Sequence, residues 1–195
     1  SAGVLAETPV RQALVRGADV KDIVDGLGYP TRLVRTPFLT GQVGYDQSLA
    51  QAGHDQKAAR TLLDSAGWTA GRDGWRSKDG KPLAFTLTAA DSPESRYVAG
   101  KLKEQWKEIG AKVETQFFNP AEFQSAVTSH GYEALLNGVS IGPDPDVFVY
   151  WDSSQADVRA ANRLNFSEYR NPTADAALEA GRTRLDPALR IIKYR

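Results

Sequence analysis

Asp144 and Asp146 lie two residues apart in the stretch Gly138-Val139-Ser140-Ile141-Gly142-Pro143-Asp144-Pro145-Asp146-Val147-Phe148, a spacing from which an acid/base pair can be drawn. The same stretch offers the hydroxyl of Ser140, for which no base can be identified. No Gly-x-Ser-x-Gly elbow, Walker loop or dinucleotide fingerprint occurs anywhere in the chain, so hydrolytic and nucleotide chemistry find no support. A structural reading competes for the aspartates. Asp144-Pro145 matches a helix cap followed by a first-turn proline, and Asp146 would favour the positive end of that helix. Phe148, Tyr150 and Trp151 then follow as residues that either line a pocket or face the core.

Other reactive groups are sparse. His54 and His130 are far apart and have no Asp or Glu at ligand spacing, so they read as surface or capping residues and no metal site is expected. Asp73-Gly74 and Asp79-Gly80 bracket Trp75-Arg76-Ser77-Lys78. They lack the dense oxygen ligands and closing Glu of a calcium loop and read as the tight turns of a small hairpin. No cofactor is expected.

The elements that must position this loop can be read from periodicity. Val10, Ala13 and Leu14 form a helical face after Thr8-Pro9, with Thr8 as cap. Asp19 opens a short second helix that is stopped by Gly26 and Gly28, and 30–49 reads as a long irregular loop. Asp55 caps a helix with Ala58, Ala59, Leu62, Leu63 and Ala66 on one face, stopped by Gly67 and backed by Trp68. From Leu83 the pattern alternates. Phe85 and Leu87 mark a strand, Val98, Leu102, Trp106 and Ile109 a helix, Val113, Thr115 and Phe117 a strand, 121–128 a helix, and Tyr132 to Leu136 a strand with a continuous apolar core suited to cover on both faces. The sheet is thus at least partly parallel. Right-handed crossovers gather the strand ends, near Asp91, Asn119 and Val139-Ser140-Ile141, on one edge, where α/β proteins bind ligands. Asn171-Pro172 starts a further helix with a small-residue face.

The chain has 195 residues, 41% of them hydrophobic, enough for one compact core. Positive and negative side chains balance at 24 each, and this lack of a basic footprint argues against nucleic acid as a partner. No apolar run approaches the ~20 residues of a membrane span. Cysteine and methionine are absent, and the chain ends abruptly in a helical pattern, so an excised fragment is expected.

Six motifs in order carry a family resemblance: Val10-Arg11-Gln12-Ala13-Leu14, Ala66-Gly67-Trp68, Asp79-Gly80-Lys81-Pro82-Leu83, Ile109-Gly110-Ala111-Lys112-Val113, Pro143-Asp144-Pro145-Asp146-Val147-Phe148 and Asn165-Phe166-Ser167-Glu168-Tyr169-Arg170-Asn171-Pro172. Together they resemble the family 5 extracellular solute-binding proteins of ABC importers, the dipeptide, oligopeptide and nickel-binding group. The resemblance implies an α/β periplasmic-binding-protein-like lobe of a type II clamp, its mixed sheet flanked by helices with a small hairpin excursion. It further implies that residues 1–195 are a single lobe, the second of two, without the first lobe and the C-terminal return. Binding rather than catalysis is implied: a peptide or small-molecule solute is held between lobes and delivered to a membrane permease. The site is extracytoplasmic, periplasmic or at the cell surface, and a lipid anchor on the full-length protein is expected.

In peptide binders of this family the loop before the Asp-Pro-Asp motif carries a tryptophan and an aspartate that pairs with the peptide amine. Position for position these are Gly138 and Ile141 here, so recognition of a free amine is not expected. Ligand-facing residues are expected to be Val139, Ser140 and Ile141, together with Asn119, Asp91 and Trp151, and Asp144, Pro145 and Asp146 form the structural motif. An extracytoplasmic sensing domain that presents solute to a receptor is the rival role on the same fold. An enzyme is a third, and no reactive constellation supports it.

Overall fold

The computed structural model of the chain describes residues 3–142, 144, 146–161 and 163–194. Two compact units emerge. The first comprises Ser1–Leu33, Ala52–Ala126 and Gly131–Asn137, and the second Val34–Gln51, Val127–His130 and Gly138–Arg195.

In the first unit, α1 (Thr8–Gly17) carries Pro9 in its opening turn, where a missing N–H costs nothing. Thr8, the expected cap, is instead the first helical residue, and its hydroxyl accepts from Arg11 Nη2 at 2.9 Å. Two other starts follow the sequence. Asp19 caps α2 (Val20–Asp25) by accepting from the Asp22 N–H, and Asp55 caps α3 (Gln56–Ser65) by accepting from the Ala58 N–H. Gly67 takes φ +85° after α3 and turns the chain back so that Trp68 is buried.

The expected hairpin excursion is an antiparallel sheet of β1 (Thr69–Ala70), β2 (Arg76–Lys78) and β3 (Lys81–Pro82). Lys78 pairs with Lys81 across a two-residue turn in which Asp79 and Gly80 have φ of 51° and 75°, the double left-handed geometry for which Asp-Gly is suited. A separate parallel sheet has the order β5-β4-β6, made of β4 (Ala84–Ala90), β5 (Lys112–Phe118) and β6 (Ala134–Leu136). The parallel and antiparallel pairings therefore sit in two sheets. Two helices alternate with these strands, α4 (Pro93–Lys107), capped by Ser92, and α5 (Pro120–Ser129). The core is formed by Val10, Leu63, Trp68, Leu83, Phe85, Leu87, Ile109 and Val113, with Trp106 tilted against Phe85 at 5.7 Å.

One strand departs from expectation. The three residues of β6 are all half-buried rather than covered on both faces, and β6 is an edge strand paired to β4. The Glu133 carboxylate extends the pairing by accepting from the Thr86 N–H at 2.8 Å.

In the second unit, 34–51 is irregular apart from a 3-10 turn at Gln47–Leu49, as its composition implied. It contributes Phe38 to a small core with Val147, Leu178 and Tyr194. The helices are α6 (Phe148–Trp151), α7 (Pro172–Arg182) and α8 (Pro187–Tyr194). Asn171 caps α7 with bonds from the Thr173 and Ala174 N–H groups, and Pro172 opens the helix, both as the sequence indicates.

Candidate functional site

The ends of the parallel strands form the edge at which ligand contacts are expected. Ala90 and Phe118 are register partners at the ends of β4 and β5, and the Asp91 N–H continues the ladder to the Phe118 carbonyl at 2.8 Å. Asp91 and Asn119 are therefore brought together as the first residues past adjacent strands. Both side chains have structural partners. Asp91 receives a two-armed contact from Arg96, Nε to Oδ1 at 2.6 Å and Nη2 to Oδ2 at 3.0 Å, while the guanidinium lies 4.5 Å from the Phe117 ring centre. The Arg96 hydrogen bond, aided by its charge, holds the Asp91 carboxyl below the usual carboxylate range. Asn119 Oδ1 accepts from the Ala121 and Glu122 N–H groups, each at 3.0 Å, and Glu122 returns a carboxylate to the Asn119 N–H at 3.2 Å. This reciprocal arrangement is a capping box for α5.

Val139, Ser140, Ile141 and Trp151 belong to the second unit. Val139 and Ser140 are exposed and Ile141 is half-buried. The loop is held through its backbone: the Ser140 carbonyl accepts from the Tyr150 hydroxyl at 3.4 Å, and the Gly142 carbonyl from Gln42 Nε2 at 2.8 Å. A Cβ on Gly138 would meet nothing within 4 Å, so the missing side chain there leaves open space. Trp151 stands edge-on to Tyr169, ring centres 6.1 Å apart, and lines an open cavity of about 760 Å³ together with Phe38, Leu178 and Tyr194.

The expected cap at Asp144 needs correction. The helix starts at Phe148, with Val147 as its N-cap and no side-chain cap bond. Asp144 is instead paired with Arg190 of α8, its oxygens 2.6 and 3.1 Å from Nη2 and Nη1, and this contact lowers its pKa. Asp146 accepts from the Phe148 N–H at 3.2 Å and pairs with Arg182 of α7 at 3.2 Å. Each carboxylate therefore serves a different arginine, an arrangement that fastens helices rather than sharing a proton. Pro145 lies outside the described residues. Arginine partners 36 and 46 residues downstream could not be read from local spacing, whereas proline-flanked aspartates mimic caps.

Two buried polar centres were not visible in the sequence. Asn165 is fully buried; its Nδ2 donates to the Asp152 and Tyr169 carbonyls at 3.0 and 2.8 Å, and its Oδ1 accepts from the Tyr169 N–H at 3.1 Å. His130 meets Glu168, 38 residues away. Among the described residues, no group of three or more His, Cys, Asp or Glu could hold a metal ion, and no helix is long and apolar enough to cross a membrane.

The alternation of parallel strands and helices, with polar residues at the strand ends and a Gly-rich loop after β6, defines a periplasmic-binding-protein-like α/β structure. The solved structures agree. NikZ from Campylobacter jejuni in complex with Ni(L-His) matches with a TM-score of 0.86 and 28% identity over 97% of this chain and 38% of its own. AppA from Bacillus subtilis, in complex with a nonapeptide, matches at 0.85 and 26% over the same shares. The profile of bacterial extracellular solute-binding proteins, family 5 Middle, matches residues 1–160, and the chain belongs to that family. In sequence it is 30% identical to the oligopeptide-binding protein AppA of Bacillus subtilis over 178 residues, 87% of this chain and 32% of the relative. It is 28% identical to the oligopeptide-binding protein OppA of Mycobacterium tuberculosis over 191 residues, 94% and 31% respectively. The chain thus spans about one third of the length of these curated relatives.

Proposed function

We propose that the protein is the solute-binding component of an ABC importer and that residues 1–195 form one lobe of a two-lobed clamp. The clamp encloses a peptide-like or other small solute and hands it to a membrane permease. The observation that carries this reading is the family match over residues 1–160. The protein acts outside the cytoplasm, in the periplasm or at the cell surface, held there by a lipid anchor, and it turns over no substrate. Closure is driven by the solute's preference for the closed state, because equal affinity for open and closed forms would shift nothing.

The loop after β6 narrows the cargo. Ile141 occupies the position at which peptide binders of the family place the aspartate for the peptide amine. A buried ammonium without a counter-charge costs several kcal/mol. The cargo therefore presents no free amine there: it is a blocked or modified peptide, a sugar, or another solute with apolar decoration. Ser140 supplies a hydroxyl, Ile141 an apolar contact, and the loop backbone its amides. Asp91, Asn119 and Trp151 are proposed as further contacts.

Native mass spectrometry of the full-length protein, purified without denaturation, tests this by revealing a retained solute. Ile141→Asp is then expected to weaken binding of that solute by roughly tenfold or more, the effect of forcing a carboxylate against an apolar group. Unchanged affinity would remove Ile141 from the site, and chemical conversion of the solute by the pure protein would overturn the transport reading.

A further inference from the structure

Four non-glycine residues among those described have left-handed backbone: Asp79, His130, Arg163 and Glu168, with φ of 51°, 54°, 48° and 52°. The hairpin turn accounts for Asp79. The other three touch one another. His130 ends α5 where helices commonly place a glycine, with its own N–H bonded to the Val127 carbonyl at 3.2 Å and the Gly131 N–H to the Ala126 carbonyl at 2.9 Å. A side chain at such a position costs conformational free energy, and this one is only 4% exposed, so its contacts must offset the cost.

Those contacts constrain its protons. Nδ1 is 3.0 Å from Glu168 Oε1, and Nε2 is 2.9 Å from the Arg163 backbone carbonyl oxygen. A carboxylate and a carbonyl only accept, so both contacts are hydrogen bonds only while both ring nitrogens carry a proton. Arg163 Nη2 donates to the same Glu168 oxygen at 3.0 Å, and the rest of its guanidinium reaches the Thr128 and Ala156 carbonyls at 3.4 Å. The charged groups meeting the imidazole include Glu168 directly and Arg163 through Glu168. The His130 hydrogen bond is also the chief cause holding the Glu168 carboxyl below its usual range, which keeps it ionised.

We propose that His130, Glu168 and Arg163 form a proton-operated latch that fastens the 163–169 loop to the end of α5. With two ring protons both bonds are made. Loss of one leaves a lone pair facing an acceptor in a buried place, and the loop loosens. The loop carries Asn165 and Tyr169, which hold the Asp152 backbone and the edge of Trp151, so the latch sets the surroundings of Trp151 whatever the cargo is.

Hydrogen–deuterium exchange of the intact protein at pH 6 and pH 8, corrected for intrinsic exchange, tests the latch. Protection of amides 163–169 is expected to fall about tenfold at pH 8, the equivalent of one net hydrogen bond, while β4 is unchanged. In His130→Gln the loop should be weakly protected at both pH values, with no pH dependence. Equal wild-type protection at the two pH values, or the same fall persisting in His130→Gln, would overturn the latch. The wild-type comparison decides the matter even if the variant does not fold.

Discussion

Arg76 and Asp64 form an ion pair whose two ends should differ several-fold in energetic weight. The Arg76 side chain is 5% exposed, whereas that of Asp64 is 62% exposed. From β2 the guanidinium donates to the Ile109 carbonyl at 2.9 Å, to Asp64 Oδ1 at 2.5 Å and to the Trp68 carbonyl. Ile109 and Trp68 are buried, so their carbonyls find no water once the arginine is gone. Arg76→Met keeps much of the aliphatic stem but leaves both unpaired, at about 1–3 kcal/mol each, so a loss of about 3–4 kcal/mol is expected. Asp64→Asn should cost under about 1 kcal/mol, because an exposed carboxylate is solvated and screened. Urea unfolding followed by tryptophan fluorescence reads the difference, since Trp68, Trp75 and Trp106 all report on the first unit. Equal losses for the two variants, or a loss below about 1 kcal/mol for Arg76→Met, would show that the buried carbonyls do not carry the energy.

Two glycines are opposites. A Cβ on Gly110, at φ +86°, would lie 2.7 Å from Arg76 Cγ and 2.8 Å from the Gly74 carbonyl oxygen, so Gly110→Ala should lose about 2 kcal/mol or more in the same assay. Gly100 sits within α4 with nothing within 4 Å, and Gly100→Ala should gain roughly 0.5–1 kcal/mol. Asp144 gives an acid-range prediction. Its folded pKa is depressed by Arg190, so its contribution is present above the unfolded value of about 3.9 and is lost as pH falls through the folded one. At 63% side-chain exposure it is worth under about 1 kcal/mol. Asp144→Asn should therefore shift the urea midpoint slightly at pH 7 and not at all at the acid end; a shift of equal size at both would contradict this.

The legibility of the sequence followed the range of the interactions. Asp19, Asp55 and Asn171 announced their helices because a cap bond spans only two or three residues. Asp79-Gly80 announced its turn because the backbone conformation is a property of those two residues. Asp144 misled for the converse reason: proline on either side imitates a cap, while the arginine that claims its carboxylate lies on α8. Asp146 does meet the start of α6 through the Phe148 N–H, but its arginine on α7 lay beyond local spacing. At the candidate site, the placement of Asp91 and Asn119 past adjacent strands could be foreseen from the βαβ pattern. Their engagement by Arg96 and by the α5 amides could not.

Residue pattern alone indicated most of the helices and strands and a sheet at least partly parallel, since hydrophobic period and turn residues act locally. It also set the uncharged character of Gly138, Val139, Ser140 and Ile141 in the loop after β6. Only the tertiary structure decided which polar groups are buried together. Arg76 with the Ile109 carbonyl, Asn165 with the backbone of Asp152, and His130 with Glu168 join residues 33, 13 and 38 positions apart. Their partners are selected by the free-energy penalty of leaving a buried polar atom unpaired, and that penalty arises only once the chain has folded around them.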